Sequence, residues 1–129
     1  MQADPESPLV LIVDDNPKNL TLARDVLAAA GLRTLEAATG AEGVALAERH
    51  LPDVILMDLG LPDMDGTDAA RALGRGAATA AIPVVALSAL RLEGDDRDLL
   101  AAGFAGYIEK PIDIDEFPVH VRRYCGAGG

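Results

Sequence analysis

Short apolar runs alternate along this chain with stretches of helical period. Four of the runs have the length of buried strands: Leu9–Val13, Val54–Met57, Val84–Leu87 and Gly106–Glu109. Arg33–Ala38 alternates in polarity, as a partly exposed edge strand does, and makes a fifth. Strands that alternate with helices are typical of βαβ units, so the pattern predicts an α/β fold with a five-stranded parallel sheet.

The first two predicted helices carry recognisable start and stop signals. Helix one is expected from about Pro17, with Asn16 as its N-cap and Gly31 after its end. Helix two is expected to follow Thr39, because Thr39 and Glu42 have the spacing of a capping box. These signals place both helix starts directly after a predicted strand.

The remaining helices are predicted with less regular boundaries. Helix three is expected over about Thr67–Leu73, and helix four over about Asp96–Ala102. Asp113 and Glu116 have capping-box spacing, but a helix starting there would place Pro118 beyond its first turn, where the ring meets a carbonyl. We therefore expect the last helix to begin at Asp115, giving five strands and five helices.

The chain has 129 residues, half of them hydrophobic, which is the size of one domain with a real core. We expect a flexible lead-in over 1–8, the folded domain over 9–125 and a flexible tail over 126–129. The net charge of −10 opposes binding to nucleic acid and to anionic membranes. Proteins and small cations are the expected partners.

The sequence shows no targeting signal, and its cysteine and histidines are not assigned to the candidate site. No apolar run approaches the ~20 residues that span a bilayer, and the start lacks a signal-peptide pattern, so we expect a cytoplasmic protein without membrane contact. Cys125 is the single cysteine and is interpreted as a bystander thiol. His50 and His120 lie in or near predicted helices, away from the strand ends, and are not assigned to a site.

Each apolar run stops on a reactive polar group. Asp14 and Asp15 follow the first run, Asp58 and Ser88 follow the third and fourth strands, and Lys110 follows the fifth. The carboxyl ends of parallel strands share one sheet edge, so these groups are expected to meet in a crevice. Clustered carboxylates repel each other unless a cation lies between them, and Mg²⁺ accepts such ligands together with phosphate oxygens.

Five segments of the chain resemble the receiver domain of two-component response regulators, in the right order and with the family's spacing. The segments are Val-Asp-Asp-Asn at 13–16, Leu-Met-Asp at 56–58, Leu-Pro-Asp-Met-Asp-Gly at 61–66, Leu-Ser-Ala at 87–89 and Tyr-Ile-Glu-Lys-Pro at 107–111. The resemblance covers nearly the whole chain. It implies a flavodoxin-like, doubly wound fold with strand order 2-1-3-4-5, an order for which the chemotaxis member of the family is a standard example.

The resemblance also implies a role for each crevice residue. Asp58 matches the residue that accepts a phosphoryl group from a phosphohistidine, and Lys110 matches the lysine that pairs with it. Asp15 matches a direct Mg²⁺ ligand and Asp14 a ligand through water, Asp58 is itself expected among the metal ligands, and the Gly60 carbonyl completes the protein's share. Phosphoryl transfer needs positioning and charge neutralisation more than covalent help, which suits this set.

A switch is implied by the same resemblance. Ser88 matches the hydroxyl that moves to the phosphate, Tyr107 the aromatic ring that turns inward, and Lys110–Pro111 a cis peptide. The expected signalling face comprises the fourth helix, the fifth strand and the last helix. The implied protein is a single-domain response regulator, monomeric or weakly dimeric. Its expected partners are a histidine kinase or histidine phosphotransfer protein and a downstream protein target.

Two alternatives remain at this point. A pseudo-receiver would keep the fold as a docking module without phosphorylation. A small Mg²⁺-dependent phosphatase is suggested by Asp63–Thr67, which has the letters of the haloacid-dehalogenase nucleophile motif. That motif needs an apolar strand immediately before its first aspartate, whereas here Leu61 and Pro62 precede it. The receiver interpretation is therefore preferred.

Overall fold

Five parallel strands form one sheet in this computed structural model, which describes residues 7–59, 61, 63–64, 66–88, 103–109 and 112–127. The strands are β1 (Leu9–Val13), β2 (Arg33–Ala37), β3 (Val54–Asp58), β4 (Val84–Ser88) and β5 (Gly106–Glu109). Their order is β2-β1-β3-β4-β5, which confirms the predicted topology. Most of the predicted lead-in lies outside the described residues.

Helices connect the strands and cover both faces of the sheet. In the described ranges they are α1 (Pro17–Ala29), α2 (Gly40–His50), α3 (Gly66–Arg75) and the C-terminal helix α4 (Phe117–Ala127). The predicted fourth helix, Asp96–Ala102, lies outside those ranges. None of the helices described is both long enough and apolar enough to cross a membrane.

The core consists of two apolar layers, one on each face of the sheet. Successive strand residues point to opposite faces, so Val10 and Ile12 pack in the layer that contains Leu27 of α1. Leu11 and Val13 belong to the other layer, beneath α2 and α3. β3 is buried along its whole length, as its continuous apolar sequence predicts.

Helix α1 begins and ends as its sequence predicts. The Asn16 side chain accepts a hydrogen bond of 2.9 Å from the backbone N–H of Lys18, and Pro17 occupies the first helical position. Gly31 follows the helix with a φ of 87°, a left-handed conformation that favours glycine. The cap fixes where α1 leaves the end of β1.

Three strand ends differ by one residue from the prediction. β2 ends at Ala37 instead of Ala38, because the Ala38 N–H donates to the Glu42 carboxylate at 2.8 Å. β3 and β4 each continue through the polar residue that was expected to follow them. Asp58 pairs with Leu87 in the ladder, and the Ser88 backbone pairs with the next strand.

Two helices also differ from their predicted bounds. Helix α3 covers 66–75 and is longer at both ends than expected. The C-terminal helix begins at Phe117, not at Asp115, because the Asp113 carboxylate caps a preceding turn. It accepts from the backbone N–H groups of Asp115 at 2.9 Å and Glu116 at 3.1 Å. Pro118 then falls in the first helical turn, where no intrahelical N–H is needed.

Candidate functional site

Three aspartates meet at the carboxyl ends of β1 and β3. Asp14, Asp15 and Asp58 each offer a carboxylate oxygen, and these oxygens lie within 4.8 Å of one another. The two strands are direct neighbours, with Val13 beside Met57, so the residues at their ends lie side by side. The structure thus brings together the carboxylates that the strand-end pattern predicts.

The three carboxylates differ in depth. Asp14 is only 1% exposed and Asp58 9%, whereas Asp15 is exposed at the mouth of the cluster. Like charges so close together repel each other, most strongly where water is excluded. Three oxygen donors of one sign, open to solvent on one side, are the donor set that Mg²⁺ accepts while keeping several waters. The chemistry of the cluster therefore fits a divalent cation.

Asp14 is held in place by the turn that leads into α1. Its Oδ1 accepts the backbone N–H of Asn16 at 2.9 Å, and its Oδ2 accepts the Asn19 side-chain amide at 3.3 Å. Sequence reasoning assigned Asn16 to the helix cap and did not single out Asn19. The spacing of three residues from Asn16 places Asn19 one turn further along α1, and that spacing is the signal that could have identified it.

A cavity of about 50 Å³ lies behind Asp14, between α1 and the start of α4. Leu22, Leu87 and Phe117 form part of its apolar lining. An apolar space of this size does not suit a cation, because it offers few oxygen ligands. The aspartate cluster, not this cavity, is therefore the candidate metal site.

The other predicted site residues are described only in part. The Ser88 backbone lies at the end of β4, next to the strand that carries Asp58, but its side chain is outside the described set. Tyr107 pairs with Ala86 and is partly buried against the α2 and α3 layer of the core. Gly60 and the Lys110–Pro111 peptide lie outside the described residues.

Asp63 caps a helix instead of ending a strand. Its carboxylate accepts the backbone N–H groups of Gly40 at 2.8 Å and Ala41 at 3.0 Å, in the first turn of α2. These two hydrogen bonds hold the pKa of the Asp63 carboxyl below its usual range. β3 ends at Asp58, so the strand that the phosphatase alternative requires before Asp63 is not in that place.

The remaining reactive side chains lie away from the cluster. His50 is exposed at the end of α2, and His120 lies on α4. Cys125, also on α4, is partly buried; burial raises its pKa to about 11, and the nearby charge of Asp53 adds to the effect. The thiol is therefore protonated at neutral pH, in agreement with its interpretation as a bystander.

The sequence matches a known family over most of its length. Residues 10–122 match the family model of the response regulator receiver domain. The chain belongs to that family. Domains of this family are signalling phosphoacceptors, not classical enzymes, and bind Mg²⁺ at an acidic pocket, which corresponds here to the three-aspartate cluster.

Individual relatives agree with this assignment. The polar-differentiation response regulator DivK of Brucella ovis is 37% identical over 117 residues, covering 91% of this chain and 95% of DivK. The chemotaxis regulator CheY4 of Vibrio cholerae superposes with a TM-score of 0.86 at 25% identity, over 92% of this chain and 98% of that one.

One solved relative includes a metal. It is the receiver domain of a sensor histidine kinase from Pseudomonas aeruginosa, which has a magnesium ion coordinated in its active-site cleft. It is 36% identical, with a TM-score of 0.84, over 93% of this chain and 98% of that domain. The chain thus resembles single-domain regulators and a kinase-borne receiver alike.

Proposed function

We propose that this receiver domain accepts a phosphoryl group on Asp58, with Mg²⁺, and thereby changes its affinity for a protein partner in a two-component phosphorelay. The observation that carries the proposal is the placement of Asp58. Asp58 lies at the end of the central strand β3 and is 9% exposed, and one of its carboxylate oxygens lies within 4.8 Å of oxygens of Asp14 and Asp15. The proposed donor is a phosphohistidine on a histidine kinase or histidine phosphotransfer protein.

In the proposed transfer, a carboxylate oxygen of Asp58 attacks the phosphorus atom of the phosphohistidine. The new O–P bond forms as the N–P bond breaks, and the N–P electron pair stays on the imidazole nitrogen. Asp15 directly, Asp14 through water, Asp58 and the Gly60 carbonyl would hold Mg²⁺, and the ion would supply neutralisation of charge on the phosphoryl oxygens. Asn16 and Asn19 keep the Asp14 carboxylate in one orientation.

The proposed readout uses the neighbouring strand ends. The new phosphate adds about −1.5 to −2 charges, which would attract the Ser88 hydroxyl and the Lys110 ammonium. Tyr107 is partly buried on the adjoining strand and would turn inward as Ser88 moves. The partner-binding face would then comprise the fourth predicted helix, β5 and the C-terminal helix.

The decisive experiment is incubation with Mg²⁺ and acetyl phosphate, followed by intact mass spectrometry. We expect a gain of one phosphoryl group that hydroxylamine removes, that EDTA prevents and that Asp58→Asn abolishes. Asp68→Asn is the control, because Asp68 is an exposed aspartate on α3 that pairs only weakly, at 3.8 Å, with Arg71. It should be phosphorylated like the wild type.

Other outcomes would favour the alternatives. A wild-type protein that gains no mass would support a docking module, and steady phosphate release that depends on Asp63 would support a phosphatase.

The phosphoform is expected to last for minutes or longer. In relatives, the residues two places after the phosphoacceptor and two places after the hydroxyl hold or block the attacking water. Here these residues are Gly60, which has no side chain, and Leu90, whose side chain is apolar, so neither can hold a water by a side-chain hydrogen bond. A lifetime of seconds would contradict this.

A further inference from the structure

The segment that leaves Asp58 is attached to a helix that supplies none of the candidate ligands. Asp63 binds the first turn of α2 through both carboxylate oxygens, although 23 residues separate it from Gly40. Both donors are backbone N–H groups at a helix N-terminus, which have no partner within the helix and which favour negative charge. This is a long-range contact between the segment after β3 and the start of α2.

Apolar packing strengthens the same attachment. Leu61 is 8% exposed and belongs to the core layer under α2 and α3, and Met64 packs against that layer. Gly40 makes room for Met64, because a Cβ added at Gly40 would lie 2.6 Å from the Met64 Cγ. The described residues on both sides of Pro62 are therefore held against one helix turn.

The start of α2 is itself fixed relative to the aspartate cluster. The backbone carbonyl of Ala37, at the end of β2, accepts the Asp14 N–H at 3.0 Å. Thr39 caps α2 by accepting the Glu42 N–H at 3.1 Å. A rigid connection thus runs from Asp14, through the β2 end and the α2 cap, to Asp63.

We propose that Asp63 is a positioning residue for the metal and phosphoacceptor site. By binding the α2 N-terminus, it ties the chain that leaves Asp58 to α2 and, through the α2 cap and the end of β2, to Asp14. This inference rests on the proposed function. It assigns to Asp63 a structural role toward the aspartate cluster, in place of the phosphatase role that the sequence of Asp63–Thr67 suggests.

The test compares three variants of the whole chain: Asp63→Ala, Asp63→Asn and Asp68→Asn. Asp68→Asn removes the same charge from a nearby exposed position and so controls for long-range attraction of the cation. The Mg²⁺ Kd is measured by isothermal titration calorimetry. The rate of acyl phosphate formation is measured against Mg²⁺ concentration. Amide hydrogen exchange at Gly40 and Ala41 is followed by NMR.

For Asp63→Ala we expect the Mg²⁺ Kd to rise about three- to tenfold relative to Asp68→Asn, because outer groups that position ligands affect metal affinity. The maximal rate at saturating Mg²⁺ should stay within about twofold of wild type, since Asp63 does not touch the reacting atoms. The Gly40 and Ala41 amides should exchange faster. Asp63→Asn keeps one oxygen acceptor, so its Mg²⁺ Kd should lie between those of Asp63→Ala and Asp68→Asn.

An Asp63→Ala protein with the Mg²⁺ Kd of Asp68→Asn would overturn this inference and leave the proposed function intact. If Asp63→Ala fails to fold, Asp63→Asn carries the same comparison, and unchanged Kd and amide exchange in that variant would overturn the inference equally. A wild-type protein that binds no Mg²⁺ and gains no phosphoryl group would overturn the proposed function, and the inference with it.

Discussion

Two loops follow the strands that carry the aspartate cluster, the β1–α1 loop and the β3–α3 loop, and they are fixed in different ways. The β1–α1 loop is short, and the hydrogen bonds to its side chains are local: the Asn16 N–H donates to Asp14 and the Lys18 N–H to Asn16. The β3–α3 loop is longer, and its described polar anchor, Asp63, reaches residues 22 and 23 positions away on α2. One side of the site is stabilised locally, and the other depends on tertiary packing.

The difference gives α2 a role in the site, although none of the candidate ligands lies on α2. α2 packs against β1 through Gly43 and Val13, and against the β3–α3 loop through Gly40 and Met64. A change in α2 should therefore disturb the β3–α3 loop more than the β1–α1 loop. Three substitutions test this contrast.

The largest effect is expected at Gly43. A Cβ added there would lie 2.7 Å from a Val13 Cγ, and Val13 is buried, β-branched and unable to move aside. Gly43→Ala should lower the free energy of unfolding by about 1–3 kcal/mol relative to Gly74→Ala, measured by urea denaturation. Gly74 is the matched control, a helical glycine whose added Cβ would meet nothing within 4 Å.

Both variants gain the helix propensity of alanine, so the difference between them isolates the overpacking. Equal stabilities would show that α2 can shift away from β1. That result would contradict the inference that α2 is fixed relative to the end of β1.

A smaller effect is expected at the local anchor. Asn16→Ala removes the cap of α1 and should lower the free energy of unfolding by about 1 kcal/mol, whereas Asn16→Ser, which keeps an oxygen acceptor, should lose much less. Because the lost bond is uncharged, the difference from wild type should be the same at pH 7 and pH 4. A cost that changes with pH would show that the loop also depends on the ionisation of Asp14.

The smallest effect is expected for Asp63→Asn and depends on pH. The folded-state pKa of Asp63 lies below its unfolded value, so the ionised carboxylate stabilises the fold above about pH 4 and this contribution is lost as pH falls through the folded pKa. The stability difference between wild type and Asp63→Asn should therefore be present at pH 6 and shrink as the pH falls below about 4 and through the folded-state pKa, because the wild-type side chain then becomes neutral too. Urea denaturation across this range measures it, and a constant difference would contradict the ionic contact with α2.

The contrast between the loops also explains how far sequence analysis reached. The Asn16 cap and the Thr39 and Glu42 capping box depend on neighbours within four residues, so their spacing predicts them, whereas the strand ends, which depend on pairing between strands, are predicted to within one residue. Leu61 and Pro62 exclude a strand end at Asp63, but the sequence does not show that Asp63 caps α2, because that depends on the packing of the β3–α3 loop against the start of α2. Its partner, 23 residues away, leaves no spacing signal in the sequence.

The two remaining misjudgements have related causes. Asp113 can cap a turn or the helix itself, and the chain forms a turn first, which moves the start of α4 from Asp115 to Phe117. Asn19 lies one turn after Asn16, which brings it near Asp14, but whether its amide reaches the carboxylate depends on how α1 leaves β1. Both outcomes depend on the direction of the chain in space, which capping and propensity do not specify.

The strand order has a consequence for how the domain is made. β1 lies between β2 and β3, so the three strands that position all three aspartates are complete once the ribosome has passed residue 58. The strands that end at Ser88 and before Lys110 are synthesised later and join on one side only. The three aspartates of the cluster and the strands that position them are thus synthesised before the residues that are proposed to sense the phosphate.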